Sequence, residues 1–271
     1  MNRVDGMAVV DGLLRRHGVV KDDEVWVHGM WTPGKWVRCI GAKLRGRKLV
    51  RMTHGSLSPV YLTQQGKWKK RLVKPIERML FALADRVVCT GPWEVEWARA
   101  WGLKRDIDII DLKPFFAIRT TEATNPPSPG LRRSGGASPL RNGPLHVLYL
   151  GRRHPLKGVG YLERAVHDVN AEHGDDSAVE LKIVSDHFGD ELAADWKWAD
   201  VLCLPTLSEN FGLVVAEALE RGKRVITTDG APAWQAHFEQ HPDAGLYLKG
   251  YRDGTDETRV KLLAEALKAI P

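Results

Sequence analysis

Ala199-Asp-Val-Leu-Cys-Leu-Pro-Thr-Leu-Ser-Glu-Asn-Phe-Gly-Leu-Val-Val-Ala-Glu-Ala-Leu-Glu-Arg-Gly222 decides how the chain folds. Val201-Leu-Cys-Leu204 is a short apolar run closed by Pro205, the mark of a buried parallel strand. Leu213 to Leu219 is apolar except for Glu217, which predicts a largely buried helix. Gly222 fits its C-terminal stop, and Arg224-Val-Ile-Thr-Thr228 reads as the next strand. The result is a strand–loop–helix–strand unit of an α/β protein, with Ser208-Glu209-Asn210-Phe211-Gly212 in its loop.

Two carboxylates stand out. Glu209 falls at the carboxyl end of a strand, where ligands bind in open α/β sheets. Glu217 lies in the most apolar helix, and a buried carboxylate is costly unless something hydrogen-bonds to it. Sugar hydroxyls are suitable donors. Phe211 and Gly212 open the helix, whose free N–H groups and dipole suit a phosphate. A plainer reading stands beside this one: Glu209 caps the helix, and Glu217 meets a buried Arg or a backbone amide.

Pro205-Thr-Leu-Ser-Glu-Asn-Phe-Gly-Leu-Val-Val-Ala-Glu-Ala-Leu219, continuing to Val225-Ile-Thr-Thr-Asp-Gly-Ala-Pro232, closely resembles the family 4 retaining glycosyltransferases of GT-B fold. Their signature is a Glu, seven residues, then a second Glu. The resemblance implies that Glu209 contacts the donor sugar and Glu217 the nucleotide ribose, with Asn210, Phe211 and Gly212 completing the donor loop. Upstream, Leu145-His-Val-Leu-Tyr-Leu-Gly151 reads as a strand running into Arg152-Arg-His-Pro-Leu-Lys-Gly158 and a helix from about Gly160. A basic loop at a helix N-terminus is a reasonable diphosphate cradle. This loop resembles the family's donor loop, with Arg152 and Lys157 on the positions that grip the pyrophosphate. Incidental surface charge is the alternative.

In the first half, Glu24-Val-Trp-Val-His-Gly29 and Lys48-Leu-Val-Arg-Met-Thr53 read as strands, each followed by or ending in His-Gly. Val25-Trp-Val-His-Gly-Met-Trp31 and Met52-Thr-His-Gly-Ser-Leu57 resemble the corresponding strand ends of the family. The resemblance puts His54 at the reaction centre with Glu209, and His28 with Glu94 on the acceptor side. The plainer reading of either histidine is a loop residue bonded to backbone. Asp85-Arg-Val-Val-Cys-Thr90 is a further strand. Arg105-Asp-Ile-Asp-Ile-Ile-Asp111 alternates like an edge strand with an acidic solvent face, and its Asp-X-Asp reads more simply that way than as a metal motif. No metal-ligand spacing is present, and neither cofactor nor metal is expected beyond the nucleotide-sugar itself.

Charge divides the chain. Residues 1–116 carry a net +10, residues 117–144 a net +3, and residues 145–271 a net −7. Within 35–78 there are 13 basic residues, and Glu77 is the only acid. Such a bias points to a polyanion: phospholipid, charged glycolipid or nucleic acid, unless it only keeps the face soluble. Lys67, Trp68, Lys69, Lys70 and Arg71 mix basic charge with an aromatic, a pattern suited to an anionic membrane interface. After Pro75 the spacing of Ile76, Met79, Leu80 and Leu83 predicts a helix with those residues turned to the core. Residues 117–144, rich in Pro, Ser, Gly and Arg, read as a linker between domains 1–116 and 145–271. Cys39, Cys89 and Cys203 sit in or beside apolar runs, as reduced thiols of a cytosolic protein do. No apolar run approaches membrane-spanning length and the polar start is no signal peptide.

The resemblance therefore implies two Rossmann-like domains with mostly parallel sheets facing a cleft, shortened relative to the family. Three features depart from it: no opening strand with a glycine-rich turn, a shorter stretch between Val184 and Asp200, and no Pro-Asn-Gly near the junction. The function expected is metal-independent transfer of a sugar from a nucleotide diphosphate-sugar to a glycolipid or polysaccharide acceptor, as in bacterial lipopolysaccharide or exopolysaccharide assembly. The chain would sit in the cytoplasm against the inner face of the membrane. Two other readings stay open: a catalytically weakened carbohydrate- or nucleotide-binding relative, and a nucleic-acid-binding protein using residues 35–78, although no recognised nucleic-acid motif is present.

Overall fold

Short runs of β-branched and large apolar residues build two sheets, both parallel throughout and each with helices in its crossovers. The computed structural model describes residues 6–63, 67–118, 143–174 and 178–270. The chain divides into two units, Met1–Phe115 and Phe116–Pro271. Most of the linker expected at 117–144 lies outside the described residues.

The first unit contains α1 (Gly6–Arg16), β1 (Glu24–His28), α2 (Pro33–Leu44), β2 (Lys48–Met52), α3 (Pro59–Thr63), α4 (Lys67–Leu83), β3 (Arg86–Cys89), α5 (Pro92–Trp101) and β4 (Asp108–Ile109). Its sheet runs β1-β2-β3-β4, in chain order without reversal. Val27, Leu49, Leu57, Leu80, Phe81 and Trp101 belong to one buried cluster. The alternating segment 105–111 forms only the two-residue β4, exposed at the sheet edge with Asp108 accepting from Arg86 at 2.9 Å.

The helix expected after Pro75 differs in extent and in orientation. α4 begins eight residues earlier and runs through Pro75. Of the residues assigned to its core face, only Leu80 is buried, while Ile76, Met79 and Leu83 are 38%, 49% and 42% exposed. The core side is taken by Glu77, Leu80 and Phe81. Glu77 reaches Arg51 on β2 at 2.9 Å, and accepts from Trp31 N at 2.6 Å and Trp36 Nε1 at 2.8 Å. Arg51 lies over the Phe81 ring at 4.4 Å. A fully buried acid needs such partners, so the polar contact fixes which way the helix faces.

The second unit contains β5 (Leu145–Leu150), α6 (Val159–His173), β6 (Val179–Val184), α7 (Gly189–Trp198), β7 (Val201–Leu204), α8 (Leu213–Glu220), β8 (Arg224–Thr228), α9 (Gln235–Gln240), β9 (Gly245–Leu248) and α10 (Asp256–Ala269). Its sheet order is β6-β5-β7-β8-β9. All four residues of β7 are buried, as a run flanked on both sides by strands requires. β6 lies on one side of β5 and β7 on the other. The crossover direction therefore reverses at β5, leaving a crevice at the carboxyl ends of β5 and β7.

Candidate active site

The crevice of the second unit is where the two loops singled out in the sequence meet. A 3-10 turn, Pro155–Lys157, follows β5, and Leu156 O accepts from Leu207 N at 2.8 Å and Thr206 Oγ1 at 3.1 Å in the loop after β7. Gly158 has φ +67° and seats its Cα where a Cβ would overlap the Pro205 carbonyl. Only glycine satisfies both demands. Gly230, after β8, lies equally close to the Thr206 carbonyl, and its own carbonyl accepts from Glu209 N at 2.8 Å. Three strand-end loops are thus pinned together.

Within this frame Lys157 and Glu209 form an ion pair, with side chains 20% and 22% exposed. The other Glu209 oxygen accepts from Asn210 N at 3.2 Å. Phe211 is buried against Trp234, ring centroids 5.2 Å apart, and Trp234 Nε1 donates to its carbonyl. Gly212, at φ +75°, then starts α8. Arg152 is exposed, and its carbonyl is held by Tyr149 Oη at 2.8 Å.

Glu217 is half-buried on α8, with no hydrogen bond to its carboxylate from the described residues. Burial pushes its pKa up, and Arg221 opposes that only through its charge. The contact with a buried Arg or amide that would make it merely structural is not formed.

In the first unit His54 lies in the turn after β2 in a left-handed conformation, φ +48°. Its Nε2 lies 2.6 Å from His28 Nδ1, and His28 Nε2 lies 3.1 Å from Asp11 Oδ1 on α1. Arg15 donates to Asp11 at 2.7 Å. Burial raises the Asp11 pKa, but the hydrogen bond and charge of Arg15, with His28, outweigh it and hold the group below the usual range. Burial also lowers His28, and pulls His54 down to about 3 with help from His28 and Lys35. An ionised Asp11 selects the His28 tautomer with hydrogen on Nε2. His54 must then donate from Nε2 to His28, which leaves its Nδ1 as an acceptor. Nothing in the sequence signals Asp11, 17 positions from His28.

Glu94, expected on the acceptor side, is instead fully buried. One oxygen accepts from Thr53 Oγ1 and Gly55 N, the other from Thr90 N at 2.8 Å and Thr90 Oγ1 at 3.1 Å. Its acceptor capacity is spent bracing the turn that carries His54. Of the basic segment, Trp68, Lys69 and Arg71 are exposed, whereas Lys70 folds back on the Tyr61 ring at 3.8 Å. Lys67 starts α4, but its side chain lies outside the described residues. Among the described residues no group of three or more His, Cys, Asp or Glu could hold a metal, and no helix is long and apolar enough to cross a membrane.

Comparison with known proteins agrees with this geometry. Residues 7–111 match the glycosyl transferase 4-like domain, and residues 144–253 the glycosyl transferases group 1 domain. A D-inositol 3-phosphate glycosyltransferase of Pseudarthrobacter chlorophenolicus is 29% identical over 205 residues, 64% of this chain and 46% of that protein. The chain thus spans about half the length of this curated relative. Among solved structures, sucrose-phosphate synthase from Thermosynechococcus elongatus aligns with a TM-score of 0.54 at 19% identity, over 97% of this chain and 73% of that one. The UDP-forming α,α-trehalose-phosphate synthase from Burkholderia vietnamiensis gives 0.56 at 14% identity, over 99% and 73%. The pneumococcal O-GlcNAc transferase GtfA, solved with UDP and GlcNAc, gives 0.57 at 14%, over 96% and 52%. With its two domains in this order on two parallel sheets, the chain belongs to the glycosyltransferases of GT-B fold.

Proposed function

We propose that the chain moves a sugar from a nucleotide diphosphate-sugar to a hydroxyl of a glycolipid or polysaccharide acceptor, with retention at the anomeric carbon. The observation carrying this reading is Glu217, a desolvated carboxylate without a donor among the described residues, on the helix that opens at the crevice. Two vicinal ribose hydroxyls supply the donors it lacks. Arg152, Lys157 and the first N–H groups of α8 meet the negative charge that grows on the departing diphosphate, an electrostatic task for which the proposal needs no metal. Glu209 accepts from hydroxyls of the donor sugar, its ion pair with Lys157 holding both side chains in place beforehand. His54, neutral at physiological pH, offers Nδ1 to the transferring sugar, with His28 and Asp11 fixing its tautomer. The basic first unit supports an anionic lipid-linked acceptor at the cytoplasmic face of a membrane, as in bacterial surface-glycan assembly.

A thermal-shift panel of UDP-, GDP- and ADP-sugars on wild type and Glu217→Ala tests the donor site. UDP is tried first, since two structural neighbours are described with it. A ligand at 100 times its dissociation constant adds about 2.7 kcal/mol, which for a chain this size is about 5–10 °C. The expected result is a shift with one nucleotide class, lost in the variant. No shift with any of the three in folded protein overturns the reading.

A further inference from the structure

The exposed large apolar side chains of the described residues are concentrated in one part of the molecule. Nine of ten fall between residues 37 and 83, and Ile109 is the tenth. Five lie on α4: Trp68, Leu72, Ile76, Met79 and Leu83. Their successive spacings of four, four, three and four put them on one stripe along nearly the whole helix. Three more, Val37, Ile40 and Leu44, form a matching stripe on α2, with Val37 70% and Leu44 83% exposed. The two helices are packed side by side and joined by the Trp36–Glu77 hydrogen bond. Scattered exposed leucines need no explanation, but two neighbouring apolar stripes do.

Charge identifies what covers them. Arg38 and Arg45 border the α2 stripe, and Lys69, Arg71 and Arg78 border that of α4; all five are exposed. The only acid between 35 and 78 is Glu77, and it is turned wholly into the core. Between those positions the surface thus carries no carboxylate. A second copy docking through the same face would set cation against cation. An anionic bilayer offers the opposite charge, and beneath it an apolar layer for the stripes.

We propose that the α2–α4 face of the first unit docks on an anionic lipid bilayer, with α4 lying in the interface plane and Trp68 at one end of the buried stripe. This deepens the lipid-acceptor reading above, but the docking face belongs to the first unit and the donor site to the second, and the two are tested separately.

The experiment is sedimentation of the full chain with vesicles of phosphatidylcholine alone or mixed with phosphatidylglycerol. Each variant is also checked for the sugar-nucleotide thermal shift, or for an unchanged melting temperature if wild type shows none. Because the altered side chains are exposed, Leu72→Glu/Met79→Glu and Val37→Glu/Leu44→Glu should fold normally. Each is expected to lower partitioning onto the anionic vesicles at least tenfold. Lys69→Gln/Arg71→Gln should weaken binding mainly at low salt, where charge attraction has its longest reach. Failure of wild type to bind anionic vesicles at low salt overturns the proposal. So does undiminished binding by both apolar-stripe variants, or a dimer that Leu44→Glu dissociates without any vesicle binding. A donor shift that survives lost vesicle binding supports a separate docking face.

Discussion

Glu77 and Glu94, buried in the first unit, and Glu217, half-buried in the second, are treated in opposite ways. In the first, Glu77 accepts from Trp31, Trp36 and Arg51, and Glu94 takes four hydrogen bonds from Thr53, Gly55 and Thr90. In the second, Glu217 is desolvated and accepts none from the described residues. The sheets differ in the same sense: β1 to β4 follow one another without reversal, whereas the order turns back at β5 and opens a crevice. A carboxylate satisfied by its own protein is part of the scaffold. One that has lost water without gaining a donor is a place for a ligand.

The contrast is broken most severely at Glu77. Glu77→Ala strands Arg51, whose Nε and Nη1 already lack partners, and is expected to cost about 3–5 kcal/mol. Urea denaturation measures it, and a variant as stable as wild type would mean that the pair carries no structural role. Glu94→Gln retains the shape but turns one acceptor into a donor facing N–H and hydroxyl groups, a loss of about 1–3 kcal/mol. Faster amide exchange should accompany it at either Gly55 or Thr90, whichever faces the new amide NH2, because that group loses its acceptor.

The smallest effect, and the one of opposite sign, is expected at Glu217. Removing an unpartnered charge by Glu217→Gln should stabilise the unliganded protein by about 1 kcal/mol at neutral pH, while abolishing the donor-dependent shift. The pH dependence follows from the raised pKa. Between the ordinary carboxylate value and the raised one, the folded state holds more protons than the unfolded state, so stability falls as pH rises. Above the folded pKa the full penalty is present, and below the unfolded value it vanishes. Wild type should therefore lose stability relative to Glu217→Gln as pH rises through that window, and a constant difference would refute the assignment.

The sequence made the β7–α8 block legible because its signals are local: an all-apolar strand, a glycine at each end of the helix, one acid among apolar residues. The α4 helix was visible for the same reason, but not the direction it faces. Periodicity finds an apolar stripe without saying what covers it, and the deciding contact joins Arg51 to Glu77, 26 positions away. The Asp11–His28–His54 chain is equally non-local. Glu94 is suggested only by the family resemblance, and the groups that satisfy it, Thr53 and Gly55, come from the turn after β2.

The contact of Gly158 with the Pro205 carbonyl, together with the bonds from Leu156 to Leu207 and Thr206, has a consequence for how this chain can change. One residue inserted at either position would shift one loop out of register with the other and separate Lys157 from Glu209. Variation in length is therefore barred at the crevice, and any new preference for a donor must come through substitution of side chains on an unaltered backbone. Divergence at this site should be written in residue identity, never in gaps.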